Sequence, residues 1–288
     1  MKIYHDLLQG SVEWLDVRRR NFTASELGPW VLEPVKITLT IEEIKLHLDL
    51  RGISRKGVTK RDELLAMMPE PERFLELCDG ARTAILSKIK QEVMLNRQAI
   101  PADQLTEENQ LWLAREEEIA AKDAKSFEYN IPVKYGKLLE PYARDFYERK
   151  TGYQVTEVGF IESDSTGFGC SPDGLILKDA SFPAIGWNCS HGVEIKCPTP
   201  ETHAAWLLAG TLPECHKLQV HACMAVTGLE RWDFLSYCPG DAPLLLTVEC
   251  DEFTDRLEAG LKTLVAEKAK IKATLASMWR AEYGKAGA

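Results

Sequence analysis

The chain has 288 residues, of which 45% are hydrophobic and 27% charged, and this composition excludes global disorder and a fibrous repeat. Its formal net charge of −9 gives no overall sign of a polyanionic partner, so the local distribution of charge matters more than the sum. No segment approaches the roughly 18 apolar residues that span a bilayer. The first nine residues lack the apolar core of a secretory signal. We therefore expect a soluble intracellular protein with no membrane partner.

The eight cysteines include no Cys-x-x-Cys pair, and a reducing compartment favours free thiols over disulfides. A zinc or iron–sulfur site would need a less usual set, such as Cys189 and His191 with Cys215 and His216. Buried free thiols are the simpler interpretation.

The first segment, about residues 4–32, mixes apolar residues with the run Arg18-Arg19-Arg20. Thr23 begins the sequence Thr-Ala-Ser-Glu, in which a hydroxyl can accept a backbone N–H, so a helix is predicted to start there. Pro29 predicts an interruption or a new start shortly afterwards.

Residues 33–70 predict two short helices joined by a basic loop. Thr40 starts a capping-box pattern, Gly52 ends the first helix and Thr59 can cap the second. The Leu-x-x-x-Gly-Ile and Lys-x-x-Leu rhythm resembles the SAP module, a small DNA-binding helical hairpin. The alternative is a helical insertion whose basic loop is merely solvated. The candidate DNA-binding residues share this loop and its edges: Arg51, Arg55, Lys56, Lys60 and Arg61.

Residues 71–129 predict a helical connecting segment, and residues 1–32 with 130–288 predict one core domain. In the second part of this core, helices and strands alternate in the order helix, three strands, helix, two strands, helix. This order predicts a mixed central sheet flanked by helices, in the α/β or α+β class. The predicted strands are 154–161, 174–177, 193–196, 232–237 and 244–248, and the predicted helices are 136–150, 214–226 and 252–279.

The strongest chemical signal is Ser171-Pro172-Asp173-Gly174 followed by Glu194-Ile195-Lys196. Glu194 and Lys196 are two residues apart on one predicted strand, so both side chains leave the same face. If Asp173 lies on the adjacent strand, two carboxylates converge beside one lysine, which suits Mg²⁺. The alternative is an exposed ion pair on an edge strand.

This pattern, a Pro-Asp pair followed after a spacer by Glu-x-Lys, resembles the signature of the PD-(D/E)xK nucleases. The surrounding residues resemble one branch of these nucleases, the lambda-exonuclease family, which is also called the YqaJ-type viral recombinase family. The resemblance covers most of the chain outside roughly 33–130, and it implies a restriction-endonuclease-like fold with a helical insertion. It rests on five separated motifs: Trp14 through Arg18 to Thr23-Ala24-Ser25, Gly136-Lys137-x-x-Glu140, 170–174, 194–198, and Gln219-Val220 with Met224 and Val226-Thr227.

The resemblance implies a role for each matched residue. Glu140, Asp173, Glu194 and the backbone carbonyl of Ile195 would hold Mg²⁺, for which Mn²⁺ would substitute. Lys196 would orient or deprotonate the attacking water, or stabilise the developing charge, and Gln219 would hold that water or Lys196. Without the resemblance, Glu140 could be a surface helix residue and Gln219 could bond within its own helix. The implied pocket for a 5′-phosphate consists of Arg18, Ser25 and Ser171.

The resemblance further implies an exodeoxyribonuclease that digests one strand of duplex DNA from its 5′ end to mononucleotides and leaves a 3′ overhang. Expected partners are double-stranded DNA ends, a single-strand annealing protein and two further copies of the chain in a trimeric ring. A phage or prophage origin would place it in the cytoplasm of a bacterial host cell. Two alternatives stay open: a non-catalytic duplex-binding module on a nuclease scaffold, and a restriction or repair endonuclease of the same fold.

Overall fold

The structure is a computed structural model, and it describes residues 1–35, 41–50, 53–67, 77–128, 131–163, 167–178 and 188–283. The chain divides into two compact units. Unit 1 comprises Met1–Leu27 and Gln91–Glu258, and unit 2 comprises Gly28–Lys90 and Ala259–Ala288. The predicted domain boundaries, at 32, 70 and 129, remain a prediction.

Nine α-helices lie in the described parts of the chain, together with short 3-10 turns at Ala24–Glu26, Pro29–Leu32 and Ala102–Gln104. In chain order the helices are α1 Val12–Arg20, α2 Ile41–Leu50, α3 Arg61–Met67, α4 Asp79–Gln98, α5 Glu107–Glu128, α6 Ile131–Thr151, α7 Pro200–Ala209, α8 Glu214–Thr227 and α9 Glu252–Tyr283. No helix in these parts is long and apolar enough to cross a membrane.

The described strands of unit 1 form two sheets, where one central sheet was predicted. The first has the order β1-β4-β5-β2 and the second the order β3-β6-β7-β8-β9, with β7 and β8 parallel and the other pairs of the second sheet antiparallel. The strands are β1 Lys2–Tyr4, β2 Phe22–Thr23, β3 Val155–Thr156, β4 Phe160–Glu162, β5 Phe168–Cys170, β6 Gly174–Leu177, β7 Cys189–Lys196, β8 Arg231–Ser236 and β9 Leu244–Glu249.

The predicted strand 154–161 is therefore two short strands in different sheets. Val155 and Thr156 pair with β6, whereas Phe160 pairs with β1 and Ile161 with both β1 and β5. An apolar run read from sequence cannot show that its two halves have different partners, because pairing is decided by distant residues.

Local sequence explains how the elements near β7 begin and end. Helix α7 begins after Thr199, whose hydroxyl accepts from the Thr202 N–H, and it ends at Gly210, which has a φ of 62°. Helix α8 ends in the same way at Gly228, with a φ of 67°. Glycine adopts this left-handed conformation without a Cβ penalty, so these two positions end the helices before the chain enters α8 and β8, respectively.

The hydrophobic core of the second sheet fixes which way β7 faces. Val193 and Ile195 of β7 pack with Ala143 and Tyr147 of α6. Side chains alternate along a strand, so Glu194 and Lys196 leave the opposite face.

In unit 2, helices α2 and α3 form the predicted hairpin around the fully buried residues Ile44, Leu48 and Leu64. The predicted caps at Thr40 and Gly52, as well as Arg51, lie outside the described residues. The likeness to the SAP module stays a prediction.

Candidate active site

The structure brings together the three residues predicted to bind a 5′-phosphate. Arg18 lies in the last turn of α1, and its Nη2 donates to the hydroxyl of Ser25 at 2.9 Å. Its Nη1 lies 3.4 Å from the hydroxyl of Ser171, which follows β5. The sequence prediction missed one member: Thr23 does not cap a helix but accepts from Arg18 Nη2 at 3.1 Å. Three hydroxyls thus surround one guanidinium.

Trp14 orients this group from one helical turn earlier. Its indole N–H donates to the Ser171 hydroxyl at 3.1 Å and to the Gly159 carbonyl at 2.9 Å. The Arg18 guanidinium lies over the indole ring, 4.4 Å from its centroid. Burial lowers the pKa of Arg18, partly offset by Glu26, whose Oε1 lies 3.5 Å away. A partly desolvated guanidinium among hydroxyls is suited to bind an anion.

The turn between β5 and β6 holds Asp173 against the end of β7. In the antiparallel pair, Gly174 lies opposite Val193, so Asp173 comes level with Glu194. The Asp173 carboxylate accepts from the Ile195 backbone N–H at 2.7 Å. The predicted adjacency of Asp173 and the Glu-x-Lys strand is therefore present in the structure.

Glu194 is fully buried, and its Oε1 accepts from two donors, Lys196 Nζ and Gln219 Nε2, the latter at 2.5 Å. Gln219 thus contacts Glu194, where contact with Lys196 or a water was predicted. The second oxygen, Oε2, is buried with no hydrogen-bond partner among the described residues. An orphaned buried carboxylate oxygen is costly, so it marks a place where something else should bind.

Electrostatics at this strand end show an excess of negative charge. Burial and then the Asp173 carboxylate raise the pKa of Glu194 to about 7. Burial lowers the pKa of Lys196, but Glu194 and Asp173 outweigh it and the pKa is raised. The pair therefore favours an ammonium at Lys196.

Glu140 lies on α6, where an arginine holds it. Its Oε1 accepts from Arg144 at 2.8 Å, and Arg144 also contacts Glu157 at 2.5 Å. Burial and the Asp173 carboxylate raise the pKa of Glu140, while Arg144 opposes that rise. Arg144 was not predicted, although its spacing of four residues from Glu140 is typical of a helical ion pair.

Glu140, Asp173 and Glu194 are near enough to influence one another's charge, but they do not form a ligand set in the structure. Among the described residues, no three His, Cys, Asp or Glu side chains are arranged to hold a metal ion, and this includes the set Cys189, His191, Cys215 and His216. The donors nevertheless fit a divalent cation chemically. All are carboxylates, and the buried Oε2 of Glu194 has no hydrogen-bond donor among the described residues.

One cavity of about 830 Å³ connects the two groups of residues. Arg18 and Glu26 line it from one side, and Glu140, Arg144 and Asp173 from another. Arg18, of the phosphate-binding candidates, therefore shares one space with two of the acidic residues, Glu140 and Asp173.

The candidate DNA-binding residues of the hairpin carry nearby acids. Arg55 makes a two-point ion pair with Asp49, at 2.8 and 2.9 Å, and Lys60 lies 3.7 Å from Glu63. Lys56 is exposed. Acids on the flanking helices, which the loop sequence alone does not include, offset part of the basic charge.

Comparison with protein families identifies the domain. Residues 96–230 match the YqaJ-like viral recombinase domain, so the predicted resemblance to the lambda-exonuclease, YqaJ-type family is confirmed. No curated protein sequence matches the chain.

Solved structures support the fold. The chain is similar to the crystal structure of an alkaline exonuclease, LHK-Exo, from Laribacter hongkongensis, with 22% identity and a TM-score of 0.52 over 93% of this chain and 100% of that one. The same exonuclease in complex with dAMP matches with 22% identity, the same coverage and a TM-score of 0.50. The predicted mixed α/β fold is confirmed, and the family match supports the predicted exodeoxyribonuclease class.

Proposed function

We propose that this protein is a Mg²⁺-dependent exonuclease that digests one strand of duplex DNA from a 5′-phosphorylated end. The observation that carries the proposal is the shared cavity, which joins a guanidinium ringed by hydroxyls to Glu140 and Asp173. A pocket that requires a terminal phosphate selects ends over internal bonds. The dAMP bound by the similar exonuclease agrees with release of mononucleotides.

In this proposal Arg18 holds the terminal phosphate in a bidentate contact, while Ser25 and Ser171 donate further hydrogen bonds. Thr23 completes the hydroxyl ring. The binding step places the first phosphodiester next to Glu140 and Asp173, because these two residues line one cavity with Arg18. Positioning alone can supply a large part of the rate enhancement.

Asp173, Glu194, Glu140 and the Ile195 carbonyl would hold Mg²⁺, with Mn²⁺ as a substitute, and the ion would supply Lewis-acid stabilisation of charge at the phosphodiester. Arg144 donates to Glu140 and must release it for that role. Lys196 acts as an ammonium, since its pKa is raised, and it orients the attacking water and stabilises developing negative charge. Gln219 fixes Glu194 through Oε1 and leaves Oε2 for the cation.

The product would be a 3′ single-stranded overhang, which a single-strand annealing protein would use for recombination. A homotrimeric ring in the cytoplasm of a bacterial host cell, encoded by a phage or prophage, completes the proposal. Sedimentation at three times the chain mass would support the ring. Arg51, Arg55, Lys56, Lys60 and Arg61 remain candidates for duplex contact.

The activity is tested by incubating the protein with linear duplex DNA and, separately, with covalently closed circular duplex DNA. Each DNA is tested in three reactions, which contain Mg²⁺, Mn²⁺ or chelator. We expect mononucleotides from linear DNA alone, and only with metal. Cleavage of the circle would indicate an endonuclease of the same fold, and binding without cleavage would indicate a non-catalytic module.

The phosphate pocket is tested with linear DNA carrying a 5′-phosphate or a 5′-hydroxyl. Arg18→Ala should reduce the preference for the phosphorylated end about tenfold or more, because a charge-assisted pair is lost. Arg19→Ala is the matched control, since Arg19 is a neighbouring arginine paired with Asp16 at 3.0 Å. An unchanged preference in Arg18→Ala would remove the pocket from the proposal.

A further inference from the structure

Helix α6 exposes three large apolar side chains: Tyr135 and Leu138, each 62% exposed, and Tyr142, 65% exposed. Their spacing of three and four residues puts them on one face of the helix. We call this face the α6 stripe. An exposed row of this kind on the helix that bears Glu140 has no role in the site described above.

The α6 stripe lies on roughly the opposite side of the helix from Glu140 and Arg144, because 3.6 residues complete one turn. Lys134 and Lys137 are exposed and occupy the flank between these two sides. Lys137 lines the large cavity together with Glu140. The helix thus presents a cationic flank between an acidic cavity and an apolar stripe.

A second, apolar groove of about 300 Å³ begins at the stripe. Tyr135 and Leu139 line it from α6, and Cys197, Pro198 and Pro239 line it from the other side. Cys197 directly follows Lys196. A groove lined mainly by apolar groups suits an aromatic ring better than a charged group.

We propose that the α6 stripe and this groove bind the unpaired bases of the DNA strand that is not digested. This inference rests on the proposed exonuclease function. Exposed tyrosines beside lysines match the chemistry of single-stranded DNA, whose bases stack on aromatic rings while its phosphates attract cations. The groove joins Tyr135 of the stripe to Cys197, the residue after Lys196, so bases bound there lie near the end of β7 but outside the cavity.

The test is a binding measurement in chelator, where no cleavage can occur. Fluorescence anisotropy measures the affinity for two probes. Both are 5′-phosphorylated duplexes that carry a 3′ single-stranded tail, and the tail has bases in one probe and is abasic in the other. Tyr135→Ala and Tyr142→Ala should each weaken binding of the base-bearing tail about fivefold or more and leave the abasic tail unaffected. Tyr135→Phe keeps the ring and should bind like the wild type.

Leu208→Ala serves as the matched control, since Leu208 is an 89% exposed side chain on α7. Lys134→Gln should reduce the slope of log affinity against log salt by about 0.7, the value for one single-strand phosphate contact. These changes together would support the inference.

Equal binding of both tails by the wild type, or unchanged binding in both alanine variants, would overturn it. A variant could also lower the sedimenting mass and leave tail binding unchanged. That result would assign the stripe to a contact between copies of the chain and would overturn the inference. Failure of the exonuclease proposal is distinguishable, because it would appear as absent nucleotide release by the wild type with Mg²⁺, a measurement independent of tail binding.

Discussion

Strand β7 carries two buried polar clusters that differ in how completely their atoms are paired. Toward its beginning, His191 contacts Tyr147 at 3.1 Å and Asp233 at 3.3 Å, and Asp233 also accepts from Tyr147 at 2.7 Å. At its end, Glu194 is equally buried, yet one of its oxygens has no partner among the described residues. The same strand therefore holds one polar network that is complete and one that is not.

The difference separates a structural cluster from a functional one. Burial raises the pKa of Asp233, but hydrogen bonds from His191, Tyr147 and Arg231 outweigh it and lower the pKa to about 2. At Glu194 the Lys196 ammonium opposes the rise, but burial and the Asp173 carboxylate outweigh it, and the pKa rises to about 7. The nearby Trp232 indole N–H also lacks a hydrogen-bond partner in the described parts of the chain, but it carries no charge. Every Asp233 oxygen has a donor, as a structural cluster requires, whereas one oxygen of Glu194 is open to a ligand.

Lys196→Ala should give the largest effect. Because the lysine would stabilise charge that develops only during cleavage, we expect the rate of nucleotide release to fall about 10³-fold while duplex binding persists. Single-turnover kinetics with linear DNA would measure it. Lys178→Ala, which removes an exposed lysine at the end of β6, is the control. Full activity in Lys196→Ala would show that the cluster at the end of β7 is structural, like the cluster at its beginning.

Asp233→Ala tests the complete cluster, and we expect it to lower stability while cleavage is retained. It leaves Tyr147, His191 and Arg231 without their shared acceptor, so we expect the free energy of unfolding to fall by about 3 kcal/mol. Cleavage by the folded fraction should remain close to that of the wild type. Urea unfolding at pH 7 would measure the stability.

Asp145→Ala is the matched control, because Asp145 forms an exposed ion pair with Arg149 on α6. Such surface pairs contribute little, so its stability should hardly change. If Asp233→Ala instead lost cleavage at unchanged stability, the network would belong to the active site.

For the cluster around Glu194, the sequence could predict which residues take part but not all of the contacts between them. Asp173, Glu194 and Lys196 stand in motifs, and alternation along a strand puts Glu194 and Lys196 on one face. The contact between Gln219 and Glu194 joins α8 to β7, and nothing in the local spacing specifies that pairing. The Tyr147 and Asp233 network was missed for the same reason, since its members come from three separate elements.

The fold shows the same limit. Strand β6 and helix α8 were predicted almost to the residue, because a glycine or proline marks their ends. The strands β1, β2 and β5 have two or three residues each, too short for a periodic pattern. They form the sheet that supports Ser171, so the position of the phosphate candidates became visible only in the structure.

Glu194→Gln is expected to change the pH dependence of stability, the smallest of the expected effects. It tests the unpaired oxygen most directly. The pKa of Glu194 is raised from an ordinary value of 4.5 to about 7, so the folded state holds this proton more tightly than the unfolded state does. In chelator, its contribution to stability is therefore complete below pH 4.5 and is lost as the pH rises toward 7. We expect a loss of about 2–3 kcal/mol across this range in the wild type, since one pKa unit corresponds to about 1.4 kcal/mol.

Glutamine carries no proton to lose, so the Glu194→Gln variant should lack this decline, while Glu249→Gln, at an exposed position, should keep it. Mg²⁺ favours the ionised carboxylate, and it should therefore stabilise the wild type more at pH 7 than at pH 5. Urea unfolding at a series of pH values, with chelator and with Mg²⁺, measures both effects. Parallel curves for the wild type and Glu194→Gln would mean that the buried oxygen is already paired. The two clusters of β7 would then no longer differ in the property from which we infer a cation site.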